Sequence, residues 1–193
     1  NKATSKTLRA LSESKLSDGV IYLMNSSHQD VGWEDNPAKC ELMRDTIVFS
    51  PLLEFTDKND NYRFDIEDAL MIREFIQRHP DKKEAIRRLL SQGQISCGAS
   101  FTQPYEEMYS GEALARQFYF GKKWLQDEFG YNANVYWNID VPGRTLQMPQ
   151  IMKKAGTDYL MMSRFEKGLF NWYSPDGSYI TAYSPGHYSN ALR

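Results

Sequence analysis

The sequence contains no apolar run near the roughly 18 residues that a membrane-spanning helix requires, so no bilayer span is expected. Cysteine is scarce, with two in 193 residues. Cys40 and Cys97 can build neither a disulfide framework nor a cysteine metal cluster; both are expected in the core, and they leave the compartment open. An excess of charge is also missing. The 23 basic and 25 acidic residues give a net charge of −2, which supplies no field for nucleic acid or an anionic membrane. Lys82-Lys83 and Arg87-Arg88 read as one solvated helix face. Residues 1–18 are polar and lack the apolar h-region of a secretory leader. Histidine is rare, at three residues, so each position carries weight.

What is present is ordinary for a globular chain: 41% apolar and 25% charged residues, enough for one domain with a sizeable core. The expected division is a polar N-terminal segment, 1–18, and one domain over 19–193. Aromatics reach 13%, which suits either core filling or a ring-bearing ligand.

Periodicity predicts strands alternating with helices. Val20–Met24 reads as a strand and Pro37 to about Phe55 as a helix capped by Asn36. Tyr62–Ile66 is a strand, 67–78 a helix ending before Pro80, and 82–92 a second helix capped by Asp81. Gln94–Cys97 is a strand, and Gly111–Phe129 a helix closed by Gly130. Asn134–Ile139 is a strand, 146–155 a helix closed by Gly156, and Asp158–Met162 a strand. A hairpin follows, Phe170–Tyr173 with Tyr179–Tyr183 around the turn Ser174-Pro175-Asp176-Gly177. Such alternation predicts parallel βα units. A complete barrel takes about 250 residues, so the expected fold is an incomplete β/α barrel of seven-stranded type, truncated at its C-terminal side.

In parallel α/β folds the chemistry gathers beyond the carboxyl ends of the strands. There the sequence places His28, Asp30 and Trp33; Asp65, Glu67 and Asp68; Gln103, Tyr105, Glu106 and Glu107; Asp140 and Arg144; Ser163, Arg164 and Glu166; and His187 with Tyr188. His28 and Asp30, two residues apart, can point to the same side. An imidazole nitrogen beside a carboxylate forms two arms of a zinc-type site, or simply a surface His–Asp hydrogen bond. Asp140 could add a third arm or cap a helix; Thr145 lies nearer the expected helix start and is the better cap. His79, ahead of Pro80, fits a helix C-terminus.

These motifs together resemble the N-terminal catalytic domain of glycoside hydrolase family 38, the α-mannosidases, over about Val20 to Ser189. The likeness rests on the His28-Asp30-Trp33 opening, the Ser110-to-Trp124 helix (SGEALARQFYFGKKW), Trp137-Asn138-Ile139-Asp140, the run Met148–Tyr159 (MPQIMKKAGTDY), and Trp172 with Asp176-Gly177-Ser178. The resemblance implies a zinc-dependent glycosidase that retains the anomeric configuration and acts on terminal α-linked sugars of an oligosaccharide or glycan. His28 and Asp30 become metal ligands, and Asp140 both ligand and carboxylate nucleophile. Trp33, Gln103, Tyr105, Arg144 and His187 become substrate contacts.

The family's last zinc ligand and its acid lie in the later part of the pattern, with Asn190 near the acid position; Glu106 and Glu107 are alternative acids. Where the family carries Asp-Pro-Phe-Gly-His or Asp-Val-Phe-Gly-Tyr, this chain has Asp140-Val141-Pro142-Gly143-Arg144. That puts a fixed cation by the nucleophile, able to read an acidic sugar. Gln103 and Tyr105 replace carboxylates that many members carry. Two other readings fit these residues: a metal-dependent, deacetylase-like amide or ester hydrolase, and a sugar-binding relative that has lost turnover.

Overall fold

The computed structural model describes residues 5–6, 9–10, 12–13, 19 and 25–188. The expected strand Val20–Met24 and Asn190 lie outside the described residues. Strands β1 (Asn25–Ser26), β2 (Phe64–Ile66) and β3 (Ile95–Cys97) form one parallel sheet in sequence order. A second sheet holds β4 (Val135–Asn138), β5 (Tyr159–Met162), β6 (Gly168–Tyr173) and β7 (Tyr179–Ser184), ordered β4-β5-β7-β6. Its first three members are parallel, and β6 is antiparallel to β7 across the expected hairpin turn.

The described residues form two sheets of three and four strands, a mixed α/β arrangement in which the expected incomplete barrel of seven-stranded type is not seen as one continuous sheet. A single backbone bond joins them, from Ala99 N to Val135 O at 2.8 Å. Gly98 makes this handover possible. Its N–H still bonds Ile66 O on β2 at 2.9 Å, and a Cβ there would lie 1.9 Å from Glu67 O. Only glycine lets the two backbones approach so closely before the chain swaps partner.

Among the described residues, helices α1 (Pro37–Arg44), α2 (Ser50–Lys58), α3 (Ala69–Arg78), α4 (Lys83–Ser91), α5 (Gly111–Phe129) and α6 (Met148–Lys154) accompany the strands. The Asn36 side chain caps α1 through Lys39 N at 3.1 Å. A π-helical turn, Asp45–Phe49, joins α1 to α2. Pro51 explains it, because proline has no N–H to give and its ring needs the room of a widened turn. Asp68, not Glu67, opens α3 by accepting from Met71 N at 3.2 Å. Asp81 does not cap α4; it lies within a 3-10 turn, Pro80–Lys82. Helix α5 has its expected bounds, with Ser110 accepting from Ala113 N at 3.2 Å and Gly130 left-handed at φ 69°. No described helix is long and apolar enough to cross a membrane.

The core lies between the helices and one face of the sheets, and is built on Ile66, Ile72, Phe75, Ile86, Leu89, Phe118, Leu125, Tyr136, Met152 and Leu160. Cys40 and Cys97 are buried and unpaired, as expected. Burial alternates along β5 and β7, so Tyr159 and Tyr183 stay exposed on the opposite face.

Helix α5 also packs closely against the loop after β3. A Cβ on Gly121 would lie 2.5 Å from Ser100 C and 2.6 Å from Ala99 O. One turn earlier, Gln117 O accepts from Phe101 N at 2.9 Å, and Gln117 Oε1 accepts from both Thr102 N and Thr102 Oγ1 at 3.0 Å. The Gln and Gly of the long helical motif thus clamp the segment that delivers Gln103.

Candidate active site

Side chains from the first three strand ends and the backbone of the fourth are joined by hydrogen bonds. His28, after β1, places Nδ1 2.9 Å from Glu67 Oε2, after β2. The same oxygen accepts from Gln103 Nε2, after β3, at 2.6 Å. Gln103 Oε1 in turn accepts from Ile139 N, after β4, at 2.9 Å. This relay ends one residue before Asp140. Glu67 is 1% exposed, and the relay gives its buried carboxylate two donors.

A carboxylate can only accept, so in the neutral imidazole this contact places the His28 proton on Nδ1 and the lone pair on Nε2. Nε2 is buried and has no hydrogen-bond partner among the described residues. It faces Asp30 Oδ1 at 3.7 Å, too far for a hydrogen bond. Two atoms each bonded at about 2.0–2.2 Å to one zinc can lie up to roughly 4 Å apart, so this pair fits a shared cation. Burial works against charge on His28, but the bond to Glu67 and the charges of Glu67, Asp30 and Asp140 outweigh it and raise the imidazole's pKa. The cluster is electron-rich and favours a positive occupant.

Asp140 stands at the end of β4, with its carboxylate ion-paired to Arg164, which follows β5. Arg164 adopts φ 57°, left-handed for a side-chain-bearing residue, and its N–H donates to Gly186 O at 2.7 Å. Such backbone strain persists where the surroundings fix it; here the strained residue aims the guanidinium at Asp140. Beside it, Ser163 Oγ bonds Ile139 O, tying β5 to the residue before Asp140. Among the described residues no three His, Cys, Asp or Glu side chains converge as a set able to hold a metal. Asp140 is ion-paired to Arg164, and its charge is also felt at His28.

The remaining expected contacts divide. Trp33 is 82% exposed and borders a hollow of about 200 Å³ with His28, Asp30 and Met43. Tyr105 is half exposed. His187 stacks on Tyr188 at 4.4 Å, and Tyr188 lies 5.6 Å from the His28 ring. Gln103 uses both ends of its amide in the relay. Arg144 is turned inward, with Nη2 on Asn138 O at 2.9 Å and Nη1 3.6 Å from Glu106 Oε1. The cation beside Asp140 is therefore Arg164, and Arg144 is not placed to read an acidic sugar. Glu106 is 1% exposed and committed to neighbouring donors, so it does not reach a substrate as an acid. His79 ends α3 and turns to Asp45 Oδ2 at 3.0 Å.

The chain matches the model of the glycosyl hydrolases family 38 N-terminal domain over residues 18–191. It is 26% identical over 193 residues to an alpha-mannosidase of Saccharomyces cerevisiae, covering 90% of this chain and 18% of that protein. It is 25% identical over 178 residues to the alpha-mannosidase 2C1 of Homo sapiens, covering 88% of this chain and 17% of that one. The chain thus spans about a fifth of the length of these relatives. An alpha-mannosidase structure from Enterococcus faecalis superposes on 83% of this chain and 19% of its own, with a TM-score of 0.77 at 20% identity. That is a likeness of fold.

Proposed function

Since this chain belongs to the glycosyl hydrolase family 38 N-terminal domains, we propose that it carries the reacting residues of a zinc-dependent, retaining α-glycosidase. Its substrates are terminal α-linked sugars of glycans, mannose first among them. The observation that supports this most is His28. Its Nδ1 is held by Glu67, and its Nε2 is buried, without a hydrogen-bond partner among the described residues, and 3.7 Å from Asp30 Oδ1.

His28 Nε2 and Asp30 would hold the cation, joined by Asp140 on leaving its ion pair with Arg164, and the cation would grip ring hydroxyls of the sugar beside the reacting carbon. Asp140 attacks the anomeric carbon as the C–O bond to the leaving group breaks and a second carboxyl group protonates the leaving oxygen, giving a glycosyl-enzyme; water, losing its proton to that same group, then releases the sugar with its configuration kept. Arg164 steers the Asp140 carboxylate. Trp33 offers an exposed apolar face to the sugar ring, with Tyr105 and His187 at the rim.

Hydrolysis of 4-nitrophenyl α-mannoside tests the reading. Activity that a chelator removes, that added zinc restores, and that Asp140→Asn abolishes supports it. Full activity in Asp140→Asn removes the nucleophile assignment. Release of acetate from an acetylated sugar, with no glycoside cleaved, would support the amide or ester hydrolase reading instead.

A further inference from the structure

Asp140 sits in a short loop between β4 and α6, and the two ends of that loop are fastened beneath it. Glu106 comes from a separate 3-10 turn, Glu106–Met108. Its Oε1 accepts from Asn138 Nδ2 at 3.1 Å, two residues before Asp140. Its Oε2 accepts from Thr145 N at 3.1 Å, five residues after. Arg144 closes the ring, with Nη2 donating to Asn138 O at 2.9 Å and Nη1 3.6 Å from Glu106 Oε1. Tyr136 completes it from β4, accepting from Asn138 Nδ2 at 2.7 Å and lying 3.5 Å from Glu106.

We propose that Glu106 is a positioning residue for Asp140, acting with Arg144 as a strut that fixes the loop from Asn138 to Thr145. This rests on the glycosidase reading above, in which Asp140 is the reacting carboxylate.

A buried acid and a mostly buried guanidinium with no route to substrate need another reason to be there, because each is costly to remove from water. The bonds supply one. Every contact of Glu106 named above is to β4 or to the two residues that end the loop, so the acid holds both edges of the segment and leaves its crown to the site. The next residue adds to this. A Cβ on Gly143, at φ +81°, would lie 3.0 Å from Glu107 Oε2, so this turn packs on the loop through two successive side chains. A carboxylate nucleophile must approach the anomeric carbon in line, and a displacement of about 1 Å can cost on the order of 100-fold in rate. Anchoring the loop at its base limits that displacement without blocking the sugar.

The test compares wild type, Glu106→Gln and Glu106→Ala in the full-length protein. Gln can still accept from Thr145 N, and a flip of the Asn138 amide, whose Oδ1 has no partner, lets it receive the Gln amide. Glu106→Ala should lose about 10- to 100-fold in kcat per folded molecule at unchanged KM, with Glu106→Gln recovering most of it. A role in folding alone would lower the folded fraction and leave kcat per folded molecule intact, which overturns the proposal. Amide exchange of Val141, Gly143 and Thr145 is read in the same samples. Exchange at least tenfold faster in Glu106→Ala supports the strut, and unchanged exchange overturns it. If wild type cleaves no glycoside at all, the glycosidase reading has failed, while the exchange result still decides whether Glu106 holds the loop.

Discussion

Replacing Gly121 by alanine adds one methyl group where α5 rests on the backbone of residues 99–101. That carbon would lie 2.5 Å from Ser100 C, 2.6 Å from Ala99 O and 2.7 Å from Phe101 N. All three are backbone atoms, so no side chain can swing aside. Relief requires α5 and the loop to separate by roughly 1 Å, since ordinary carbon contacts lie at about 3.5–4.0 Å. Overpacking of this kind costs about 1–3 kcal/mol. The same movement stretches the bonds from Phe101 N and Thr102 to Gln117, each contributing about 1 kcal/mol. The better helix propensity of alanine returns about 1 kcal/mol. The expected net loss is about 2–4 kcal/mol, or roughly 5–15 °C in Tm for a chain of this size.

Gly111→Ala is the matched control. It stands in the first turn of the same helix, where an added Cβ meets nothing within 4 Å, and it should be neutral or slightly stabilising. Thermal and urea unfolding of both variants read the difference. Gly121→Ala with wild-type stability would refute the packing argument, and with it the claim that this glycine seats the Gln103 segment.

Glu67→Gln removes the anionic acceptor that orders His28, and calorimetry should show zinc binding weakened about 10- to 100-fold. Burial lifts the carboxyls of Glu106 and Asp68 to about 7. The folded protein then keeps protons that the unfolded chain has lost, so both groups reduce stability as pH rises from about 4 to 7. Denaturant melts across that window should show the decline, and Glu106→Gln or Asp68→Asn should each flatten it. Asp45 runs the other way: burial opposes its charge, but Arg78 and His79 prevail and hold its carboxyl below the usual range. Its contribution is present above about pH 4 and is lost on further acidification. Arg78→Met, leaving Asp45 without the partner that meets both its oxygens, should cost about 2–3 kcal/mol in urea unfolding at neutral pH.

The local grammar of the chain was readable. Ser110 and Gly130 set the bounds of α5, Asn36-Pro37 opened α1, and Ser174-Pro175-Asp176-Gly177 turned the hairpin, because each signal acts within a few residues. The placing of His28 beside Asp30 followed from strand-end spacing for the same reason. Glu67, 39 residues from His28, and Arg164, 24 from Asp140, were visible only as polar residues at strand ends. Their partnerships depend on which strand ends become neighbours, which no local period encodes. The inward course of Arg144 was not legible either, because proximity in sequence to Asp140 says nothing of where a long side chain finds its acid. Here Glu106 draws it inward. The division of the strands into two sheets also did not follow from alternation, since the exchange of partners at Gly98 depends on a close backbone approach.

The central claim is that Asp140 is the carboxylate that meets the sugar, and trapping tests it most directly. Incubation with an activated fluorinated α-mannosyl donor slows release of the glycosyl-enzyme, and peptide mass spectrometry then locates the adduct. A single glycosyl group on the peptide containing Asp140, absent in Asp140→Asn, is the expected result. An adduct on any other carboxylate, or steady sugar release by a protein that Asp140→Asn leaves fully active, would contradict it.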